Sequence, residues 1–193
     1  MLKQLFTITF FSTGLFLISG CLGVSTTKSI CDFGTRQDLL KEGEQSITLS
    51  SENLNNTPTQ VTRSIERLKE GTYKIVDTIG NDDTLVLETC IVNVNDKNYN
   101  LASVSRFVSD EDQKNSDQPE TYTISKFLIS GDKVEIPFQS FYGVDFEKNH
   151  IKYQNTDGLY VVDNLLKETS DKIIEMIYSS NNPVKQTFSF PKK

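Results

Sequence analysis

An α+β fold, mainly antiparallel β-sheet with one or two packed helices, is what the sequence predicts. Three observations carry this. Short runs rich in β-branched and aromatic residues alternate with polar positions and are separated by Gly, Asn and Asp clusters. Two segments show apolar residues at helical spacing, flanked by cap and stop residues. The chain of 193 residues, 36% of them apolar, suits a single core.

The elements follow in order. "TPTQVTRSIERLKEG", residues 57–71, reads as the first helix. Thr57 is placed to cap it, Pro58 suits the first helical position, and Gln60 completes a capping box. Val61, Ile65 and Leu68 share one face, and Gly71 suits the stop. "TYKIVDT" and "TLVLETCIVNV" flank the turn cluster "IGNDD" and read as a hairpin. In the second run Leu85, Leu87 and Ile91 alternate with Val86, Cys90, Val92 and Val94, which makes it a central strand covered on both faces. "YNLASVSRF" is another strand-like run, and "SDEDQKNSDQPE", residues 109–120, has no apolar residue and reads as a solvated loop. "TYTISKFLIS" and "KVEIPFQ" flank "GD" as a second hairpin. Val134, Ile136 and Phe138 form its buried face, Glu135 and Gln139 its wet face, and Pro137 marks a sheet edge.

"TSDKIIEMIYSSNNP" fits either a strand or a short helix capped by Thr169 or Ser170; the helix is the favoured reading. Ile173, Ile174 and Ile177 would face the core, with Asn181, Asn182 and Pro183 as the stop. "VKQTFSF" closes the fold as a strand with Val184, Phe188 and Phe190 on one side.

The opening of the chain carries the sharpest signal. Lys3 precedes residues 5–18, "LFTITFFSTGLFLI", which hold no charge. A charged start and a short apolar core are the marks of a secretory signal peptide, and a membrane-spanning helix needs about 20 apolar residues. Ser19 and Gly20 then precede Cys21. Ile18-Ser19-Gly20-Cys21 resembles the lipobox of bacterial lipoprotein precursors. The resemblance implies removal of residues 1–20, a diacylglyceryl group on the Cys21 thiol, and an anchor in the bilayer. Leu22 stands where an Asp would commonly retain such a protein in the inner membrane, so the outer membrane is expected if the cell has one. Residues 22–29, "LGVSTTKS", read as part of a short tether over 21–30, ahead of a single extracytoplasmic domain over 31–193.

With Cys21 lipidated, Cys31 and Cys90 remain as an even pair. Export to an oxidising space makes a disulfide between them the expectation, two free buried thiols being the alternative. Without residues 1–20 the chain has 19 basic and 26 acidic side chains, a net charge of −7. Such a surface disfavours nucleic acid, which is bound largely through phosphate contacts.

No catalytic, cofactor or metal residues are assigned. His150 is the single histidine, and "FEKNHIKYQ" around it contains no nucleophile elbow. A solvent-exposed position at a strand start is expected for it. Asp110, Glu111, Asp112 and Asp117 lack the spacing of a calcium loop. "FQSFYGVDF" places Phe138, Phe141, Tyr142 and Phe146 within nine residues. Phe141, Tyr142 and Phe146 are either a plug for one end of the sheet or anchors for a partner; the plug is the favoured reading, with Phe141 and Phe146 buried and Tyr142 keeping a wet edge. The expectation is an envelope lipoprotein that works as a binding or structural module, held on the bilayer through Cys21 and open to an envelope protein partner. The alternatives are an envelope hydrolase with an unrecognised site, or an inhibitor of a secreted basic enzyme such as a lysozyme, by class analogy.

Overall fold

The computed structural model describes residues 23–52, 57–77, 84–106, 121–156 and 159–193. Residues 1–22, which hold the leader and Cys21, and the acidic run 109–120 lie outside the described residues. Among the described residues the fold is mainly antiparallel β-sheet with two α-helices, as the sequence predicts. Its strands are β1 (Val24–Thr26), β2 (Thr35–Arg36), β3 (Gly43–Ser51), β4 (Thr59–Lys69), β5 (Thr72–Asp77), β6 (Thr84–Val94), β7 (Lys97–Arg106), β8 (Tyr122–Lys126), β9 (Leu128–Ser130), β10 (Lys133–Gln139), β11 (Gln154–Thr156), β12 (Leu159–Val162) and β13 (Val184–Pro191). The helices are α1 (Gly143–Lys148) and α2 (Lys167–Ser179), with a 3-10 turn at Ile30–Phe33.

All the strands belong to one sheet, in the order β11-β12-β1-β8-β7-β6-β5-β4-β3-β13-β10-β9, and β2 pairs with β6 beyond the end of β5. Among the described residues only β1 and β12 run parallel. From β8 round to β10 the sheet curls until these two strands meet. Ser125 Oγ on β8 donates to the Pro137 carbonyl on β10 at 2.6 Å, and the Gly23 N–H donates to the Gln139 carbonyl at 2.7 Å. The result is close to a barrel, with side chains filling its interior.

The curl produces two cores on opposite faces. Ile47, Ile65, Tyr73, Leu87, Ile136 and Phe190 belong to the inner one. The outer one lies under α2 and includes Cys31, Cys90, Val24, Phe146, Ile173 and Ile177. Strand β6 serves both, as its two apolar faces predict: Leu85 and Leu87 enter the inner core, and Cys90, Val92 and Val94 the outer.

Five expectations are corrected. Residues 57–71 form strand β4 and its turn, not a helix. Val61 and Ile65 are four apart, so they suit a helix face, but they also alternate with polar residues. Thr59, Val61, Thr62 and Ile65 are β-branched, which favours a strand between two others. Leu68, placed on the helical face, is instead 48% exposed, and Gly71 turns the chain into β5 with φ 58°. The segment read as a tether is built into the sheet: β1 is buried between β8 and β12, so the domain includes residues ahead of 31.

The hairpin expected over 121–139 is half present. Strand β9 pairs with β10, but β8 ends at Lys126 and pairs with β7 and β1. Phe127 turns into the inner core, fully buried. Gln139, expected on a wet face, is buried, because the chain between α2 and β13 closes over it. Helix α2 starts at Lys167 after Leu166, so neither Thr169 nor Ser170 caps it; both lie in its first turn. Pro137 does sit at an edge, since β9 covers only Lys133–Glu135. Its carbonyl points to β8. In an extended strand the nitrogen points the same way, so the missing N–H interrupts no bond to β13.

Candidate functional site

Cys31 and Cys90 form a disulfide with their Cα atoms 5.5 Å apart, both fully buried. Polar contacts extend this link along the N-terminal segment. Ser29 Oγ accepts the Cys31 N–H at 3.1 Å and donates to Glu88 Oε2. The other Glu88 oxygen takes Arg36 Nη2 at 2.5 Å, and Arg36 also donates to the Cys31 carbonyl at 3.3 Å. Partial burial works against the Arg36 charge, but Glu88 and Asp32 outweigh it and its pKa is raised. Both Glu88 oxygens are engaged and Ser29 and Glu88 are buried, so the group acts as a staple holding residues 29–36 on β6.

A second hub follows at Asp38. Its carboxylate accepts the Gly71 N–H at 2.8 Å and Arg67 Nε at 2.9 Å, and it pairs with Arg67 Nη2 at 2.5 Å. The Tyr73 hydroxyl, inside the core, accepts the N–H of Leu39 at 2.7 Å and of Leu40 at 3.2 Å. A side chain at Gly71 would lie 2.6 Å from the Gln37 nitrogen and 2.7 Å from the Thr89 oxygen, and its φ of 58° also favours glycine. Lys193 Nζ stands 3.9 Å from Asp38, so this hub gathers the N-terminal segment, the β4–β5 turn and the last residue.

The aromatic stretch divides. Phe141 and Phe146 are buried in the outer core, as the favoured plug reading expects, so they are not partner anchors; Tyr142 alone of the three is exposed, at 48%. Phe146 stacks on Tyr160 at 5.6 Å between ring centres and tilts against Tyr153 at 5.2 Å. The loop is held by polar bonds. The Gln139 side chain donates to the Asn182 carbonyl at 3.0 Å. Asn182 Nδ2 donates to the Ser140 carbonyl at 2.7 Å and to Asp145 Oδ2 at 3.3 Å. The same Asp145 oxygen accepts the Tyr142 N–H at 2.8 Å, which fastens the start of α1. Gly23 joins the group through its bond to Gln139. Sequence reasoning missed Asn182 and Asp145, because an Asn in a stop signal and an Asp in a loop look the same whether or not they bond across the fold.

His150 is exposed, but at the end of α1 and not at a strand start. Its φ is 53°, the left-handed conformation that ends many helices. The His150 N–H bonds to the Glu147 carbonyl at 3.0 Å and the Ile151 N–H to the Phe146 carbonyl at 2.9 Å, the two bonds of a Schellman motif. Asp110, Glu111, Asp112 and Asp117 lie outside the described residues. Among the described residues no group of three or more His, Cys, Asp or Glu is placed to hold a metal ion. Comparison of the chain with protein-family models, with curated proteins and with solved structures finds no match.

Proposed function

We propose that the chain is an envelope lipoprotein, anchored in a bilayer through acylated Cys21, whose extracytoplasmic domain works as a binding or structural module. The observation that carries this reading is the lipobox-like Ile18 to Cys21, set after a charged start and an apolar core. The cysteine pairing supports it. Of three cysteines, Cys31 and Cys90 are joined, which leaves Cys21 as the one free to take lipid. A buried disulfide also fits a protein that matures in an oxidising space. Leu22 in the place of Asp favours the outer membrane where there are two.

The test is mass spectrometry of the full-length protein recovered from membranes, beside Cys21→Ser. The wild-type N-terminal peptide begins at Cys21 and carries acyl groups, whereas Cys21→Ser stays as the unprocessed precursor. An unmodified Cys21 in the wild-type protein overturns the reading.

A further inference from the structure

We propose that the domain rests directly on the bilayer, with Tyr142, Val144 and Val184 facing the headgroups. The inference rests on the lipid-anchor reading above. It starts from reach. Cys21 is two residues before Gly23, so its Cα lies no more than about 7 Å from that of Gly23. Gly23 is fixed. Its N–H is bonded to Gln139, and a side chain there would stand 2.4 Å from Thr123 Cγ2, so the chain threads closely between β8 and β10. Val24, the next residue, is fully buried and paired with Ile124. An anchor at Cys21 therefore has no slack with which to lift the domain off the membrane.

Exposed apolar side chains stand close to this exit in the chain's pairing. Gln139, which holds Gly23, is paired with Val184 and leads within five residues to Val144. Tyr142 is 48% exposed, Val144 67% and Val184 44%. The bonds from Gln139 through Asn182 and Asp145 to Tyr142 hold this surface rigidly against the exit. Charge favours an apolar contact too. Without its leader the chain carries a net −7, which gives no attraction to anionic lipid, and nearby Lys185 is paired with Glu52. Tyrosine belongs to the residues enriched at membrane–water interfaces, where its ring sits among headgroups.

The chain contains no tryptophan, so a single one reports from its own position. Tyr142→Trp and Val144→Trp are compared with Leu166→Trp. Leu166 is 66% exposed but lies far from the exit. Its neighbour Lys167 donates to the Asn93 carbonyl. Val24 pairs with Ile124, so Gly23 is level with Ser125, which leads through Ala102 to Thr89; Asn93 is four residues beyond, about 13 Å along β6, and β6 lies three strands, about 14 Å, from β1. Each full-length protein, its acyl groups confirmed by mass, is reconstituted into phosphatidylcholine vesicles with and without bromine on the acyl chains. Tyr142→Trp and Val144→Trp are expected to lose most of their emission to the bromines and to shift to shorter wavelength, while Leu166→Trp keeps its emission. Acylated protein in which Tyr142→Trp and Val144→Trp are quenched no more than Leu166→Trp overturns the inference and leaves the anchor reading intact. Cys21 found without lipid overturns the anchor reading, and the inference with it.

Discussion

The two cores of this domain are assembled by different means. The inner core is made from strand faces that meet as the sheet curls; apart from Leu39, Leu40 and Phe127, its members are strand residues. The outer core is a patchwork of the 3-10 turn, the disulfide, α1, α2, and parts of β1, β6, β7, β8 and β12. Alternation brings most of the inner face together, and the Tyr73 hydroxyl and the Asp38 hub fasten Leu39 and Leu40 to it. The outer face needs covalent and polar fasteners, which are found there: Cys31–Cys90, the Ser29–Glu88–Arg36 staple and the Asn182–Asp145 bonds. A sheet that closes on itself buries most of one face by its own alternation, and the other face has to be roofed.

The largest expected effect tests how well that roof is packed. Phe146 is fully buried against Tyr153 and Tyr160. Phe146→Ala should destabilise the domain by about 3–5 kcal/mol through lost burial and the cavity left behind. Tyr142→Ala, four residues away and half-exposed, should stay within about 0.5 kcal/mol. Urea melts of the two variants decide the point, and similar midpoints would mean that the roof is loosely packed.

Next comes the disulfide. Replacing Cys31 and Cys90 together with Ala should lower stability by about 2–4 kcal/mol, since the bond closes a long loop in the unfolded chain. The comparison of cores adds a spatial expectation. Hydrogen exchange should accelerate first in Ile30–Phe33 and in α2, while β3, β4 and β13 stay protected. Equal acceleration in all of them would show that the two cores open as one unit.

How far the sequence reveals this division depends on whether a residue's signal is local. Strands β5, β6 and β10 are legible because Tyr73 and Ile75, Leu85 and Leu87, and Val134 and Ile136 alternate in place. Helix α2 is legible because Ile173, Ile174 and Ile177 repeat at helical spacing. Strand β4 is not, since Val61 and Ile65 fit both periods and the neighbours that decide, β3 and β5, are chosen by the fold. Strand β3 has too little pattern to notice, with Ile47 and Leu49 its only apolar residues. Strand β1 hides in "VST", three residues buried by position and not by hydrophobicity. At the candidate site Cys31–Cys90 is legible from counting cysteines, and the exposed Tyr142 between buried Phe141 and Phe146 from its hydroxyl, while the Asn182–Asp145 bonds that hold the loop depend on the fold.

The Asp38 hub lies at the far edge of the inner core and is expected to give a smaller, pH-dependent effect. Burial pushes the Asp38 pKa up, but the Gly71 N–H and the Arg67 guanidinium outweigh this and hold it below its ordinary value of 3.8. A carboxylate lowered in this way contributes stability above its unfolded pKa and loses it as the pH falls through the folded one. Asp38→Asn should therefore cost about 1–2 kcal/mol at pH 7, the scale of charge-assisted hydrogen bonds on a partly exposed group. The gap to wild type should close below about pH 4. Urea midpoints from pH 7 down to pH 2.5 measure it, and a gap that stays constant would assign the effect to packing.

The smallest effect has the opposite sign and belongs to the roof. His150 ends α1 in a left-handed conformation, where a side chain costs about 1–2 kcal/mol relative to a residue without a Cβ. Its imidazole is exposed, and the Schellman bonds it makes use only its backbone. Ile151, which follows it, packs with Phe146 in the outer core, so the turn itself is needed even though this side chain is not. His150→Gly keeps both backbone bonds and removes the strain, while it adds freedom to the unfolded chain that offsets part of the gain. The net expectation is a stabilisation of about 0.5 kcal/mol. A rise in thermal midpoint with an unchanged denaturant slope confirms it. A loss of stability would mean that the imidazole makes a contact worth more than the strain, and would place a working residue at the end of α1.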